Sequence, residues 1–439
     1  MATIHPFRGW RYDLAQVGEL SVVTAPPYDV ISPADQNEFY KKHPCNVIRL
    51  ILNREEPGDA GPEDKYSRAA NFLRHWMQDG VLAQDKADTF YVYHQEFDWE
   101  GRTYIRKGFL GRAQLEEFGK GKVFPHEETM SGPKADRLML TRACKMNLSP
   151  IFGLYPDDKE KINKQFDAAI QGRTPLSATD HLGVIHRLWT VQDPNVLNAV
   201  REGMRDMPIF IADGHHRYET ALNYRNELKA AGQLKDEFAS PNFVLMMMVG
   251  MSDPGLQVLP THRLISGWPD VTIEQVTEAL SSHFAIDKIG KGPDAAQKTW
   301  ELMQIDGGQS TFGFGSTAGE WVLAQATSTA PMMHLAEDHT PEWQGLGVSI
   351  LHRMVIGDLL KKKWPDEPKF KYVHSLAEVA ESQAKNECQL ACLVAPASIE
   401  HVQEIASGFE KMPPKSTYFY PKLLSGLVFH SLEGGKDKG

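Results

Sequence analysis

Ile209-Phe210-Ile211-Ala212-Asp213-Gly214-His215-His216-Arg217-Tyr218-Glu219-Thr220-Ala221-Leu222 is the stretch whose reading decides the fold. Pro208 opens a short apolar run, the pattern of a buried strand. Asp213-Gly214 breaks it with a sharp turn. Beyond the turn Tyr218, Ala221, Leu222 and Leu228 recur at roughly helical spacing, so the chain enters a helix at once. The turn gathers a carboxylate, a glycine, two imidazoles and a guanidinium at a helix N-terminus. Unpaired N–H groups and the helix dipole favour an anion there. Gly214 lets a ligand approach the backbone, and Arg217 can fork onto phosphate oxygens. Asp213 has the chemistry to hold a divalent cation, Mg2+, that bridges those phosphates. A plain Asp N-cap would give the same corner, but it does not call for His215, His216 and Arg217 behind it.

Working outward, three other polar stretches stand between apolar segments. Ala25-Pro26-Pro27-Tyr28-Asp29 is stiffened by two prolines, which makes Tyr28 and Asp29 candidates for substrate contact. Asp29 as a cap for a helix starting near Pro33 is the rival reading. Lys122 to Arg137 is a charged loop broken by Pro125, Gly132 and Pro133 that leads into a helix. It carries His126, Glu127, Glu128 and Thr129. Either glutamate, held near a substrate hydroxyl, can act as general base. The third stretch, Lys415-Ser416-Thr417-Tyr418-Phe419-Tyr420-Pro421-Lys422, sets lysines and hydroxyls between prolines and suits an anion. His262 and Arg263 follow a strand directly and are candidates for the same phosphate site, with an exposed basic pair as the alternative.

The remaining pattern is mixed. Asn46–Leu52 reads as a buried strand, Thr89–His94 and Arg102–Leu110 as a hairpin, and 64–83 as an amphipathic helix. Asn242–Gly250, with three consecutive methionines, reads as a core strand. Val271–Phe284 and 345–363 read as helices, and Gly290–Gly307 as a stretch broken by glycines. Leu427–Leu432 reads as a closing strand. His186 reads as a sheet residue rather than a site residue.

With 439 residues the chain has room for two or three domains. A hydrophobic share of 41% and a charged share of 24% are those of a soluble globular protein. A formal net charge of −10 argues against a general nucleic-acid surface. No apolar run is long enough to span a membrane, and the first residues lack a signal-peptide core. The cysteine count of 4 is too low for a disulfide scaffold. A cytoplasmic setting is expected, and a homodimer is compatible with the sequence.

The Asp-Gly-His-His-Arg turn resembles the signature of the ParB/sulfiredoxin-like superfamily, which includes ParB partition proteins, sulfiredoxin and the free-serine kinases. Further segments are similar to those of a large prokaryotic family of unknown function, some members of which are described as probable serine kinases. These segments are Ala25–Ser32, His126–Thr129, Ser149–Tyr155, Pro260–Arg263 and Lys415–Lys422. The resemblance implies an α+β fold: a ParB/sulfiredoxin-like mixed-sheet core with large insertions and additional α+β lobes. The expected partition is a core at 1–265, an α+β lobe at 266–330, a C-terminal α/β segment at 331–432 and a disordered tail at 433–439.

The implied activity is a nucleotide-dependent phosphotransferase acting on a small hydroxyl metabolite, best represented by free L-serine, with ATP or ADP and Mg2+. In that scheme Gly214, His215, His216, Arg217, His262, Arg263, Lys415, Ser416, Thr417 and Lys422 face the phosphates. Glu127, Glu128, Asp213 and His215 are the catalytic candidates, and Tyr28, Asp29, His126 and Thr129 meet the substrate. Asp213 is the metal ligand. Neither a Walker A motif nor a protein-kinase glycine loop is present in the sequence. A ParB-like nucleotide switch without kinase activity is the second reading, and a hydrolase using the histidines the third.

Overall fold

A computed structural model of the chain describes residues 3–129, 131–157, 159–234 and 236–433, without the side chains of Ser131 and Pro133. Of the tail expected to be disordered, 434–439 lies outside the described residues. The chain forms two compact units, each assembled from separated stretches. Unit 1 takes Met1–Pro125, Thr129–Gln257 and Pro421–Gly439, and unit 2 takes His126–Glu128 and Val258–Tyr420.

Unit 1 is built on a mixed sheet. Its strands are β1 (Ile4–His5), β2 (Phe90–Trp99), β3 (Arg102–Gln114), β4 (Val123–Pro125), β5 (Ile151–Tyr155), β6 (Leu176–Thr179), β7 (Ile185–Val191), β8 (Ile209–Asp213) and β9 (Phe243–Gly250). They lie in the order β4-β8-β5-β9-β3-β2-β7-β6, with β1 on β3. Pairs β4·β8 and β5·β9 are parallel and the other pairs antiparallel. The expected hairpin is β2–β3, and its turn uses Glu100 and Gly101 at φ 49° and 74°. That double left-handed geometry matches the twist of the flanking strands.

Strand β9 is buried along its whole length, which is why its sequence shows no alternation. Met246 and Met248 sit in one core cluster with Phe109, Tyr155, Ile209 and Ile211. The longer helices of unit 1 are α1 (Pro33–Lys42), α2 (Asp64–Gln78), α3 (Ser131–Cys144), α4 (Lys161–Ile170), α5 (Pro194–Met204) and α6 (His215–Ala230). Helix α1 is capped by Ser32 in a capping box with Asp35, so Asp29 is not its cap.

Unit 2 is organised on a second sheet. Strands β10 (His262–Ser266), β11 (Phe284–Lys291), β12 (Thr311–Ser316), β13 (Glu320–Ala326), β14 (Lys369–Val373) and β15 (Leu390–Leu393) lie in the order β11-β13-β12-β15-β10-β14. This single sheet takes strands from both sides of residue 330. The compact units therefore divide the chain at other points than 265, 330 and 432. Helices α7 (Ile273–Leu280) and α8 (Pro293–Asp306) belong to this unit, as does a helical stretch at 347–360 that is π-wound from Leu351 to Leu360.

Several elements differ from the sequence reading. Asn46–Leu52 is no strand: Ile48–Ile51 forms a short helix. Asn46 precedes its N-cap residue Val47, accepting from the Ile48 N–H at 2.9 Å and donating to the Val22 carbonyl at 2.8 Å. A run buried on every side shows no period, so its apolar residues suit either element. The glycines at 290–307 punctuate rather than break: Gly292 precedes α8 and Gly307 ends it at φ 66°. Helix α7 stops at Leu280, and Phe284 begins β11. In 427–432 only His430–Ser431 pairs as strand.

Candidate functional site

In unit 1, β8 is held between β4 and β5, with Ile211 opposite Pro125 and Gly153. The strand ends at Asp213. Gly214 turns the chain at φ 93°, ψ 26° and is itself the N-cap residue of α6. A side chain would be strained at that φ, and a Cβ there would lie 3.0 Å from the Arg217 guanidinium carbon. No side-chain cap hydrogen bond closes the helix. The Asp N-cap reading of the corner is thus set aside, since Asp213 completes the strand and points its charge elsewhere.

One Asp213 carboxylate oxygen pairs with Arg217, and the other accepts from Lys422 Nζ at 2.5 Å. Arg217 also donates to the Pro150 carbonyl. Lys422 is placed by its own segment: the Pro421 carbonyl accepts from Arg106, and the Lys422 carbonyl accepts from Gln95 at 3.0 Å. Arg106 is fully buried under the Phe152 ring, and burial pushes its pKa down to about 10. His215 is buried and His216 half-buried at the start of α6. Thr129 donates to Glu219 on the same helix at 2.9 Å, joined by Lys134.

Tyr28 lies in a 3-10 turn with its ring against Arg137, while Asp29 is exposed. Burial, then Asp29, pushes the Tyr28 hydroxyl up to about 12.

The other candidates belong to unit 2. His126 is buried and its Nε2 meets Thr417 Oγ1 at 2.8 Å. The backbone of 126–128 pairs with Met412: Met412 N–H donates to the His126 carbonyl at 2.7 Å and Glu128 N–H to the Met412 carbonyl at 3.2 Å. Glu127 is half-buried and accepts the Lys415 N–H at 2.9 Å, while Glu128 is exposed. Lys415 sits at φ 59°. Ser416 Oγ donates to the Pro413 carbonyl at 2.5 Å, which ties that hydroxyl into its own loop.

His262 and Arg263 are not an exposed basic pair. Both are buried in β10, because the strand lies between β14 and β15. His262 Nδ1 accepts from the Val394 N–H, and burial pushes its pKa down to about 3. Arg263 donates to the Thr261 and Lys415 carbonyls. Neither is presented to a polyanion.

The candidates expected to face one ligand therefore fall into two groups. Asp213, Gly214, His215, His216, Arg217, Lys422, Tyr28, Asp29 and Thr129 belong to unit 1, while His126, Glu127, Glu128, His262, Arg263, Lys415, Ser416 and Thr417 belong to unit 2. The lysines of one short segment are divided between the units. Sequence reasoning missed Arg106 and Gln95, which seat Lys422. Their signal is faint: a polar pair placed opposite each other in a hairpin that also carries His94, Glu96, Lys107 and Arg112.

Asp213 does not fit the role of a protein-held metal ligand. Its oxygens are engaged by two cations, and among the described residues no three His, Cys, Asp or Glu side chains are grouped to hold an ion.

The family described as "Protein of unknown function (DUF1015)" matches residues 4–349. The chain belongs to the DUF1015 family. No curated protein matches it. Among solved structures, this DUF1015 chain is similar to a free serine kinase in complex with AMP, at 13% identity and a TM-score of 0.33, covering 68% of this chain and 83% of that one. A conserved hypothetical protein from Pyrococcus furiosus matches at 14% identity and a TM-score of 0.33, covering 69% and 89%. SbnI with a C-terminal truncation, from Staphylococcus aureus, matches at 12% identity and a TM-score of 0.35, covering 75% and 90%. No described helix is long and apolar enough to cross a membrane.

Proposed function

We propose that this DUF1015 chain is a nucleotide-dependent phosphotransferase acting on a small hydroxyl compound, with free L-serine the first substrate to test and ATP or ADP the donor. The observation that carries the reading is the start of α6. Its N-cap residue is a glycine, which offers no side chain over the first turn, and Arg217 and Lys422 are held there on opposite oxygens of Asp213. Phosphoryl transfer asks mainly for positioning and charge neutralisation, and this turn supplies both. Asp213 is the group that positions the two cations. Mg2+ would arrive with the nucleotide phosphates rather than be held by the chain.

Glu127 is the proton acceptor in this reading. Its carboxylate is half-buried and fixed by the Lys415 N–H. Exposed Glu128 is the weaker candidate.

The test is incubation with ATP or ADP, Mg2+ and a pool of hydroxyl metabolites including L-serine, read by mass spectrometry for a phosphorylated product. Glu127→Gln is expected to abolish turnover while nucleotide still binds. Arg217→Ala is expected to weaken nucleotide binding itself at least tenfold, the loss of a charge-assisted contact worth about 1.5–3 kcal/mol. Nucleotide binding without any product would favour the ParB-like switch. No nucleotide binding at all would remove both readings.

A further inference from the structure

A pocket opens along the face of α6 that follows the turn. Arg217 lines it, as do Thr220 and Ala221 one helical turn further on. Its enclosed part holds about 50 Å³, and its mouth opens to solvent. Leu140, Met146, Leu148 and Val244 contribute apolar wall. Tyr28 and Arg137 also line it, the guanidinium carbon 4.0 Å from the ring centre, a cation over an aromatic ring.

One atom in this lining has no structural explanation. Thr220 Oγ1 is buried and meets no hydrogen-bond partner. Helical threonines ordinarily bond the carbonyl four residues back. Thr141, Thr277 and Thr299 all do so in this chain, at 2.9, 2.8 and 2.7 Å. Thr220 does not, and a buried hydroxyl left without its hydrogen bond is destabilising.

We propose that this pocket takes the nucleobase of the nucleotide whose phosphates sit on the Asp213–Arg217 turn, with Thr220 Oγ1 bonding the edge of the base. The proposal rests on the phosphate reading above. A planar heteroaromatic ring has apolar faces for the aliphatic walls and a polar edge for the hydroxyl. A small amino acid has no such faces and would leave the walls wet. The order along α6 also suits a nucleotide, with phosphates at the first turn and the base one turn on.

The test compares calorimetric titrations of the full chain with ATP, GTP, CTP and inorganic tripolyphosphate. At least one nucleotide is expected to bind ten or more times tighter than tripolyphosphate. Thr220→Val should weaken that nucleotide about two- to tenfold and leave tripolyphosphate unchanged. In the ligand-free protein the same variant should unfold no earlier than wild type, since it removes an unpaired buried group. Ala221→Leu, which fills the pocket, should act in the same direction and more strongly. Equal binding of tripolyphosphate and every nucleotide, with Thr220→Val silent, would overturn the base pocket and leave the phosphate turn standing. Failure of tripolyphosphate and all nucleotides to bind would overturn both.

Discussion

Each unit contains a fully buried arginine that holds a carbonyl of the Lys415–Lys422 segment. In unit 1, Arg106 binds the Pro421 carbonyl and Gln95 Oε1. In unit 2, Arg263 binds the Lys415 carbonyl at 3.0 Å, and its Nε faces His352 Nε2 at 3.3 Å. Both are pushed down to about 10 by burial, and both lie over an aromatic ring, Phe152 and Tyr372 respectively. The acids beside them behave differently. Asp213 is engaged by two cations, whereas Glu127 accepts a neutral backbone N–H. A carboxylate committed to two cations positions them. The same anchoring device thus holds Lys422 beside Asp213 in one unit and the Lys415 turn beside Glu127 in the other.

Breaking the anchors should give the largest effect. Arg106→Met orphans the Pro421 carbonyl and Gln95 Oε1, and Arg263→Met orphans the Thr261 and Lys415 carbonyls. Each oxygen left unpaired costs about 1–3 kcal/mol, partly offset by relief of the buried charge. Urea denaturation should show a lowered midpoint for both. Only Arg106→Met should weaken tripolyphosphate binding, because only it releases the segment carrying Lys422. Equal loss of tripolyphosphate affinity in both variants would erase the distinction.

A smaller effect comes from acid. Burial pushes His430 in unit 1 and His262 and His352 in unit 2 down to about 3, and His5 and His94 down to about 4. The folded state resists protons that the unfolded chain binds below about pH 6.5. The stability these histidines contribute is therefore whole above that pH and is lost as pH falls from 6.5 toward 4. Asp253, raised to about 6 by burial, acts in the opposite sense below that value, but it is one group against these five and His186, which burial also lowers. The melting temperature should drop steadily from pH 7 to 5 and be flat from 7 to 8 as far as these groups are concerned. A flat profile across the acid range would contradict the buried neutral state.

The smallest shift is local. Gly214→Ala forces a side chain into a left-handed turn, at a cost of about 1–2 kcal/mol, and crowds the Arg217 guanidinium. It should lower the melting temperature modestly and tripolyphosphate affinity more clearly. Unchanged affinity would mean that the approach over Gly214 is not used.

The strand–turn–helix at Ile209–Leu222 was legible because each of its parts has a strong local signal: a proline before the strand, a glycine at the bend and apolar spacing in the helix. The hairpin at 90–114 was legible for the same reason. The short helix at Ile48–Ile51 was not, because a run buried on all sides has no period to read. Nor was the role of His262 and Arg263, since burial depends on the strands that flank β10, and those come from residues 369–373 and 390–393. The division of Lys415 from Lys422 was likewise hidden. Nothing in eight adjacent residues announces that the chain changes unit after Tyr420.

The pairing of Lys422 with Asp213 spans 209 positions, and that of its carbonyl with Gln95 spans 327. On the ribosome, residues 421–433 emerge after all of 1–257. The charge clamp is thus among the last contacts available to a nascent chain, and the turn spends translation without one of its two cations. Closing so long a loop late is slow, so ligand-binding competence should lag behind sheet formation during refolding. No single cut in the backbone releases either unit whole, which makes dissection into separately expressed halves an unpromising route to the proposed activity.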